Sequence, residues 1–122
     1  MKLINDLYHI VATESADDNY LCRVKLNAQH DFYRVHFPGN PVTPGVCLVQ
    51  MATEILEQKY HQVFMLNAAG SIKFKKPVGP NETPLFVFTK MAFEDNQLSV
   101  RVSIEDNDTQ FVKMSLQYTA VN

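Results

Sequence analysis

The chain has 122 residues, of which 46% are hydrophobic and 20% are charged, and its formal net charge at pH 7 is −2. This length and composition predict one soluble globular domain over residues 1–122, and the charge excludes the strongly basic surface that binds nucleic acid. Acidic residues follow Met1 too closely for a signal peptide and no apolar run reaches membrane-spanning length, so we expect a cytoplasmic protein with no membrane partner.

The first half of the chain predicts two strands followed by a helix. Residues 3–13 and 20–26 have β-rich compositions and are separated by turn-forming residues. A helix is predicted from Pro44 to about Gln58, because the apolar residues there recur at helical spacing. The apolar face of this helix is expected to consist of Val46, Val49, Ala52, Thr53, Ile55 and Leu56.

The second half of the chain predicts strands. Residues 63–75 form one long predicted strand, in which Gly70 marks a bulge or a point of close packing. Three alternating segments joined by short turns follow, at 85–93, 98–105 and 111–121, and predict an antiparallel meander. One long helix among antiparallel strands predicts an α+β domain in which a curved sheet wraps around the helix. The edges of such a sheet favour pairing with a second copy as a homodimer.

The most informative feature is the run from His36 to Val46 (HFPGNPVTPGV), which leads directly into the predicted helix. Three prolines and two glycines stiffen this run, so we expect His36 to have little conformational freedom. Pro44 and Gly45 match the first positions of a helix, where N–H groups face outward and polarise a carbonyl oxygen placed there. This arrangement indicates a histidine base beside a polarised carbonyl group.

This run and the downstream segment 70–80 (GSIKFKKPVGP) resemble the hot-dog-fold 3-hydroxyacyl-acyl carrier protein dehydratases of fatty acid synthesis. The resemblance extends over nearly the whole chain. It implies a sheet wrapped around a central helix, dimers whose active sites lie between subunits, and often trimers of dimers. It also implies a 3-hydroxyacyl thioester on the phosphopantetheine arm of an acyl carrier protein as the substrate, and neither a metal nor an organic cofactor.

The chemistry of dehydration assigns roles to these residues. Removing water from a 3-hydroxyacyl thioester needs a base for the α-proton, a hydrogen-bond donor to the thioester carbonyl and an acid for the departing hydroxyl. We expect His36 to be the base, because histidine ordinarily titrates near neutral pH. The resemblance implies that the backbone N–H of Gly45 is the carbonyl donor. The expected substrate contacts around these two residues are Phe37, Pro38, Val42, Pro44 and Val46.

The third role lacks its usual residue. The resemblance implies a Glu or Asp fourteen residues after the histidine, and this chain has Gln50 there. An amide can hydrogen-bond a hydroxyl but cannot protonate it at neutral pH. Glu54, one turn further along the same helical face, either reaches the hydroxyl through a water or is a solvated or paired helix residue. Alternatively, His36 alone carries the proton from carbon to oxygen while Gln50 holds the substrate.

Three functions therefore remain open at the level of the sequence. The leading interpretation is a 3-hydroxyacyl-acyl carrier protein dehydratase or a close relative. The second is a weak or inactive subunit that binds an acyl thioester or completes a heterodimer with an active homologue. The third is a hot-dog thioesterase, although Gln50 weakens this interpretation too, because such hydrolysis generally uses a carboxylate to activate water.

A short basic cluster lies downstream of the helix. Lys73, Lys75 and Lys76 stand close together in an otherwise slightly acidic chain. Because acyl carrier proteins are acidic, this cluster predicts a docking patch that weakens with salt. The alternative is that these are solvated strand lysines which discourage edge pairing.

The two cysteines predict no special chemistry. Cys22 and Cys47 are too few for a disulfide framework and have no metal-ligand spacing. We expect both thiols to be reduced and buried, with contact between Cys47 and a ligand as the alternative.

Overall fold

Six strands and two helices make up the computed structural model, which describes residues 2–35 and 39–121. The strands are β1 (Tyr8–Ala16), β2 (Asn19–Leu26), β3 (Val63–Phe74), β4 (Leu85–Glu94), β5 (Gln97–Asp106) and β6 (Thr109–Val121), and the helices are α1 (Asp31–Val35) and α2 (Gly45–Tyr60). The strands form one sheet in the order β1-β2-β4-β5-β6-β3, and every neighbouring pair is antiparallel. This arrangement confirms the predicted α+β class. Neither helix of the described residues has the length and apolar character needed to cross a membrane.

Helix α2 supplies the centre of the hydrophobic core. Its buried residues recur at the spacing of one broad helical face and join a cluster with the buried side chains of the sheet. Along β5 and β6 these buried side chains alternate with more exposed ones, so one face of the sheet covers the helix. The predicted apolar face is partly wrong: Val46 is 72% exposed, whereas Cys47, Leu48 and Met51 are buried.

The N-terminal segment differs from its prediction. Strand β1 begins at Tyr8 rather than at residue 3, because Asp6 and Leu7 donate their N–H groups to the Leu3 carbonyl at 3.0 and 2.8 Å. Asn5 adopts a φ of 64°, which completes a turn before the strand. Leu3 and Leu7 are nevertheless buried. Their side chains therefore produce an apolar pattern in the sequence without an extended backbone.

Strand β3 forms one edge of the sheet and, among the described residues, pairs with β6 alone. Its register against β6 shifts between Gly70 and Lys73, which confirms the predicted bulge. Most of its side chains are exposed, including Val63 at 59% and Met65 at 56%. An edge strand with exposed apolar side chains is a surface to which another strand can pair.

Candidate active site

Helix α2 begins at Gly45, directly after Pro44 and one residue later than the sequence predicts. The N–H groups of Cys47 and Leu48 donate to the Pro44 carbonyl at 3.0 and 3.2 Å and close the first turn. The proline side chain has no acceptor with which to cap the helix, and the N–H of Gly45 has no partner within the helix. This N–H also lies at the positive end of the helix dipole. The helix start can therefore stabilise negative charge on a carbonyl oxygen.

The ring of Phe74 packs against the first residue of the helix. A Cβ atom placed on Gly45 would lie 2.7 Å from Cζ and 3.0 Å from Cε1 of Phe74. These separations are shorter than ordinary van der Waals contact, so the position requires glycine as long as the ring stays in place. The contact joins the end of β3 to the N-terminus of α2, and no short-range sequence pattern predicts it.

A cavity of about 310 Å³ opens beside this contact. Its lining comes from the loop before α2, from the first turns of α2 and from the chain that follows β3. The lining residues are Val42, Thr43, Leu48, Phe74, Lys75, Lys76, Pro77 and Val78. An apolar cavity with lysines in its wall suits a ligand that is apolar at one end and anionic at the other.

The loop that precedes α2 is held in place through Thr43. Its N–H donates to the carbonyl of Val78 at 2.7 Å, and its hydroxyl lies 2.7 Å from the hydroxyl of Tyr33 on α1. Both side chains are buried, and burial raises the pKa of Tyr33 above its ordinary value of 10.0. The phenol therefore stays neutral at physiological pH. Tyr33 could not be predicted from the sequence, because α1 is too short to produce a helical pattern.

Gln50 and Glu54 face each other across one turn of α2. The amide Nε2 of Gln50 donates to Oε2 of Glu54 at 2.9 Å. The carboxylate of Glu54, which is only 1% exposed, also accepts from the N–H groups of Leu3 and Ile4, both at 2.8 Å, and from the hydroxyl of Tyr8 at 3.0 Å. Glu54 is thus a paired, buried residue, and reaching a substrate hydroxyl would require it to release these contacts.

The other predicted site residues fall into two groups. His36, Phe37 and Pro38 lie outside the described residues. Val42 lines the cavity, whereas the side chain of Val46 is 72% exposed at the first turn of α2.

The three lysines of the predicted basic cluster do not all lie at the cavity. Lys75 and Lys76 line the cavity, and their N–H groups both donate to the carbonyl of Phe111, at 2.8 and 3.2 Å. The Nζ atom of Lys75 also donates to Oε1 of Gln110 at 2.6 Å. Lys73 lies on β3 and is not part of the cavity lining. Lys75 and Lys76 therefore lie at the cavity, whereas Lys73 lies on the edge strand.

Both cysteines are free and buried, as the sequence predicts. Burial raises the pKa of the Cys22 thiol from 9.0 to about 12, and burial also raises the pKa of the Cys47 thiol. Both thiols are therefore protonated and weakly nucleophilic at neutral pH. Within residues 2–35 and 39–121, no three His, Cys, Asp or Glu side chains lie close enough together to hold a metal ion.

We expect Gly45→Ala to lower kcat/KM on a thioester substrate by about 10–100-fold, because the new methyl group displaces the Phe74 ring at the cavity mouth. Stability is expected to change by less than about 1 kcal/mol, since Phe74 is 57% exposed and can move. Steady-state kinetics and urea unfolding measure the two effects. The matched control is the same substitution in a Phe74→Ala background. An equal loss of kcat/KM in both backgrounds would show that the loss does not arise from displacement of the Phe74 ring.

Comparisons with known proteins identify the family of this chain. Residues 12–115 match the model of the ApeI-like family, described as ApeI dehydratase. The chain is 30% identical over 120 residues to the 3-hydroxyacyl-[acyl-carrier-protein] dehydratase FabZ of Lactobacillus helveticus, covering 88% of this chain and 81% of the relative. It is 26% identical over 121 residues to FabZ of Francisella tularensis subsp. novicida, covering 84% of this chain and 74% of the relative.

Solved structures agree on the fold. The dehydratase heterocomplex ApeI:P from Xenorhabdus doucetiae superposes with a TM-score of 0.69 at 18% identity, covering 90% of this chain and 96% of that one. The putative thioesterase yhdA from Lactococcus lactis gives a TM-score of 0.72 at 12% identity, covering 99% and 98%. These neighbours confirm the hot-dog fold predicted from the sequence, with a curved antiparallel sheet and a central helix.

Proposed function

Because the chain belongs to the ApeI-like dehydratase family, we propose that it removes water from a 3-hydroxyacyl thioester to give a trans-2-enoyl thioester. One observation carries the proposal beyond family membership. The N-terminus of α2 at Gly45 lies beside an apolar cavity and directly follows the loop that contains His36. A thioester carbonyl bound at this helix start has its α-carbon close to that loop. The proposed reaction is one step in the synthesis of acyl chains.

The proposed mechanism needs three groups. An imidazole nitrogen of His36 takes the α-proton, while the N–H of Gly45 hydrogen-bonds the carbonyl oxygen as negative charge develops there. The bond between the β-carbon and the hydroxyl oxygen then breaks as the double bond forms. The proton on His36 passes to the departing hydroxyl, which leaves as water. Gln50 hydrogen-bonds that hydroxyl and keeps it within reach of the imidazole.

The substrate is proposed to arrive on an acyl carrier protein. Support comes from Lys75 and Lys76, which line the cavity and whose ammonium groups suit the phosphate of a phosphopantetheine arm and an acidic carrier surface. Lys76→Glu is expected to raise KM for the carrier-bound substrate and to leave the KM for a short pantetheine thioester unchanged. Equal effects on the two substrates would rule out docking at this cluster.

We further propose that β3 pairs with β3 of a second subunit, giving a dimer or a trimer of dimers. The exposed apolar side chains of this edge strand support the pairing. A heterodimer with a homologue is the alternative, favoured by the heterocomplex found for the ApeI:P relative. Light scattering of the purified chain distinguishes these possibilities, because a monomer would contradict the homodimer.

The decisive experiment for the function is a direct assay. The purified protein is incubated with 2-enoyl and 3-hydroxyacyl thioesters, on a carrier protein and on coenzyme A, and their interconversion is followed by mass spectrometry. Release of free thiol is measured in parallel, because a thioesterase would produce it and a dehydratase would not. Absence of interconversion with every acyl chain and carrier, and also in the presence of a homologous subunit, would overturn the proposal.

Gln50→Glu is expected to raise the dehydration rate by about tenfold or more, because it supplies a proton donor on the hydroxyl side. The introduced carboxyl would lie about 3 Å from the carboxylate of Glu54, and two negative charges at that distance repel strongly, so the new group retains a proton near neutral pH. The rate gain should therefore decline as pH rises. An unchanged or lower rate at every pH would contradict the expectation that a proton donor at position 50 assists the departing hydroxyl.

A further inference from the structure

The direction of the Gly45 N–H group is determined by the peptide bond that joins this residue to Pro44. The carbonyl of that peptide accepts from the N–H groups of Cys47 and Leu48 at 3.0 and 3.2 Å, so it points along α2. Because a trans peptide is planar, the N–H points in the opposite direction, out of the helix start. Any rotation of this peptide therefore redirects the N–H group that is proposed to bind the thioester carbonyl.

Thr43 anchors this peptide from its N-terminal side. Its N–H donates to the Val78 carbonyl at 2.7 Å, and its hydroxyl lies 2.7 Å from the hydroxyl of Tyr33. Only Pro44 separates Thr43 from the first helical residue, and its ring keeps φ at −59°. A displacement of Thr43 therefore also displaces the N–H of Gly45, because one of the two torsions of the intervening residue is fixed.

The two contacts of Thr43 come from different parts of the chain. The backbone contact comes from the segment after β3, and the hydroxyl contact comes from α1. Tyr33 and Thr43 are only 4% and 5% exposed, so water does not compete for the bond between their hydroxyls. A single hydrogen bond allows a residue to pivot about it, whereas a second bond from another direction fixes its orientation.

Resting on the proposed function, we propose that Tyr33 and Thr43 are positioning residues whose hydrogen bond keeps the N–H of Gly45 directed at the thioester carbonyl. The role requires no contact between either hydroxyl and the reacting atoms. It favours the chemical step over substrate binding, because the N–H stabilises negative charge that develops on the carbonyl oxygen only in the transition state. We therefore expect loss of the hydrogen bond to lower kcat with little change in KM.

A second pair of buried hydroxyls in the same helix provides a matched control. The hydroxyls of Thr53 and Tyr118 lie 2.9 Å apart, about two turns of α2 beyond Gly45. Tyr33→Phe is expected to lower kcat about tenfold, since small misplacements of a catalytic group cost rates of this order or more. Tyr118→Phe removes the same chemical group and should leave kcat unchanged. Equal effects of the two variants on kcat would overturn the proposal.

Replacing both hydroxyls separates positioning from stability. Thr43→Val leaves the hydroxyl of Tyr33 buried without this partner, so the midpoint of urea unfolding is expected to fall. The double variant Tyr33→Phe with Thr43→Val removes both polar groups, and its midpoint should return toward that of the wild type while kcat stays low. Thr43→Ser keeps the hydroxyl and should retain kcat. Recovery of kcat together with stability in the double variant would indicate a purely structural role and would overturn the proposal.

The orientation is also tested without any assay of activity. The chain has four glycines, so labelling with ¹⁵N-glycine gives four backbone amide signals by NMR, and Gly45→Ala identifies the signal of Gly45. Tyr33→Phe is expected to shift or broaden this signal, because the amide no longer has a single orientation. Tyr118→Phe should leave it unchanged. An unaltered Gly45 signal in Tyr33→Phe would overturn the proposal, even if Thr43→Val fails to fold.

The two proposals fail in different ways. If no thioester is converted while the Gly45 signal responds to Tyr33→Phe, the dehydratase function is wrong and the anchoring of Gly45 stands as structure alone. If thioesters are converted but Tyr33→Phe retains the wild-type kcat, the dehydratase function stands and the hydrogen bond between Tyr33 and Thr43 has no positioning role.

Discussion

His36→Ala is expected to lower kcat/KM for the hydration of a 2-enoyl thioester by about 10²–10⁴-fold. In the proposed mechanism His36 handles the transferred proton both at carbon and at oxygen. The amide of Gln50 cannot accept or release a proton at neutral pH, and the carboxylate of Glu54 is engaged by four donors. The measurement is the steady-state rate over a range of substrate concentrations.

A second histidine provides the control for this experiment. His9 is exposed on β1, so His9→Ala should leave kcat/KM unchanged. Thermal unfolding of both variants checks that lost activity does not reflect lost structure. A His36→Ala protein that retains the wild-type rate would remove the histidine from the mechanism, and with it the interpretation of the loop from residue 36 to 46.

The helix N-terminus could be predicted because its signals are local. Pro44 and Gly45 are adjacent in the chain, and each has a physical reason to stand at the start of a helix. The reason that residue 45 must be glycine is not local, since it depends on the ring of Phe74 from the far end of β3. Contacts between residues so distant in sequence leave no periodic pattern from which they could be predicted.

The contacts of Glu54 are a clearer example of contacts that the sequence does not predict. Helical spacing places Glu54 one turn after Gln50, and the sequence leaves Glu54 either as a water-mediated contact to the hydroxyl or as a solvated or paired helix residue. The partners that bury its carboxylate are the backbone N–H groups of Leu3 and Ile4, about fifty residues earlier. Every residue except proline carries a backbone N–H donor, so the residue types at positions 3 and 4 do not predict the hydrogen bonds to Glu54. Their apolar side chains instead predicted a strand, where the structure forms a turn.

Glu54→Ala is expected to lower the free energy of unfolding by about 3–5 kcal/mol, because each donor left buried without an acceptor costs about 1–3 kcal/mol. The loss should be largest for the N–H of Leu3, because its hydrogen bond to Glu54 is buried, whereas that of Ile4 is only partly buried. The hydroxyl of Tyr8 also loses its acceptor. Its pKa is raised by burial and by the nearby carboxylate, so it stays protonated as a donor. Urea unfolding monitored by circular dichroism measures the change.

Tyr8→Phe measures how much of the stability loss in Glu54→Ala comes from the Tyr8 hydroxyl alone. It removes one donor together with its hydroxyl and leaves the two backbone donors and Gln50 in place, so we expect a loss of only about 1–2 kcal/mol. Hydrogen exchange should localise the damage in Glu54→Ala to the turn before β1, because the carboxylate connects that turn to α2. If the two variants are equally stable, the backbone contacts contribute little.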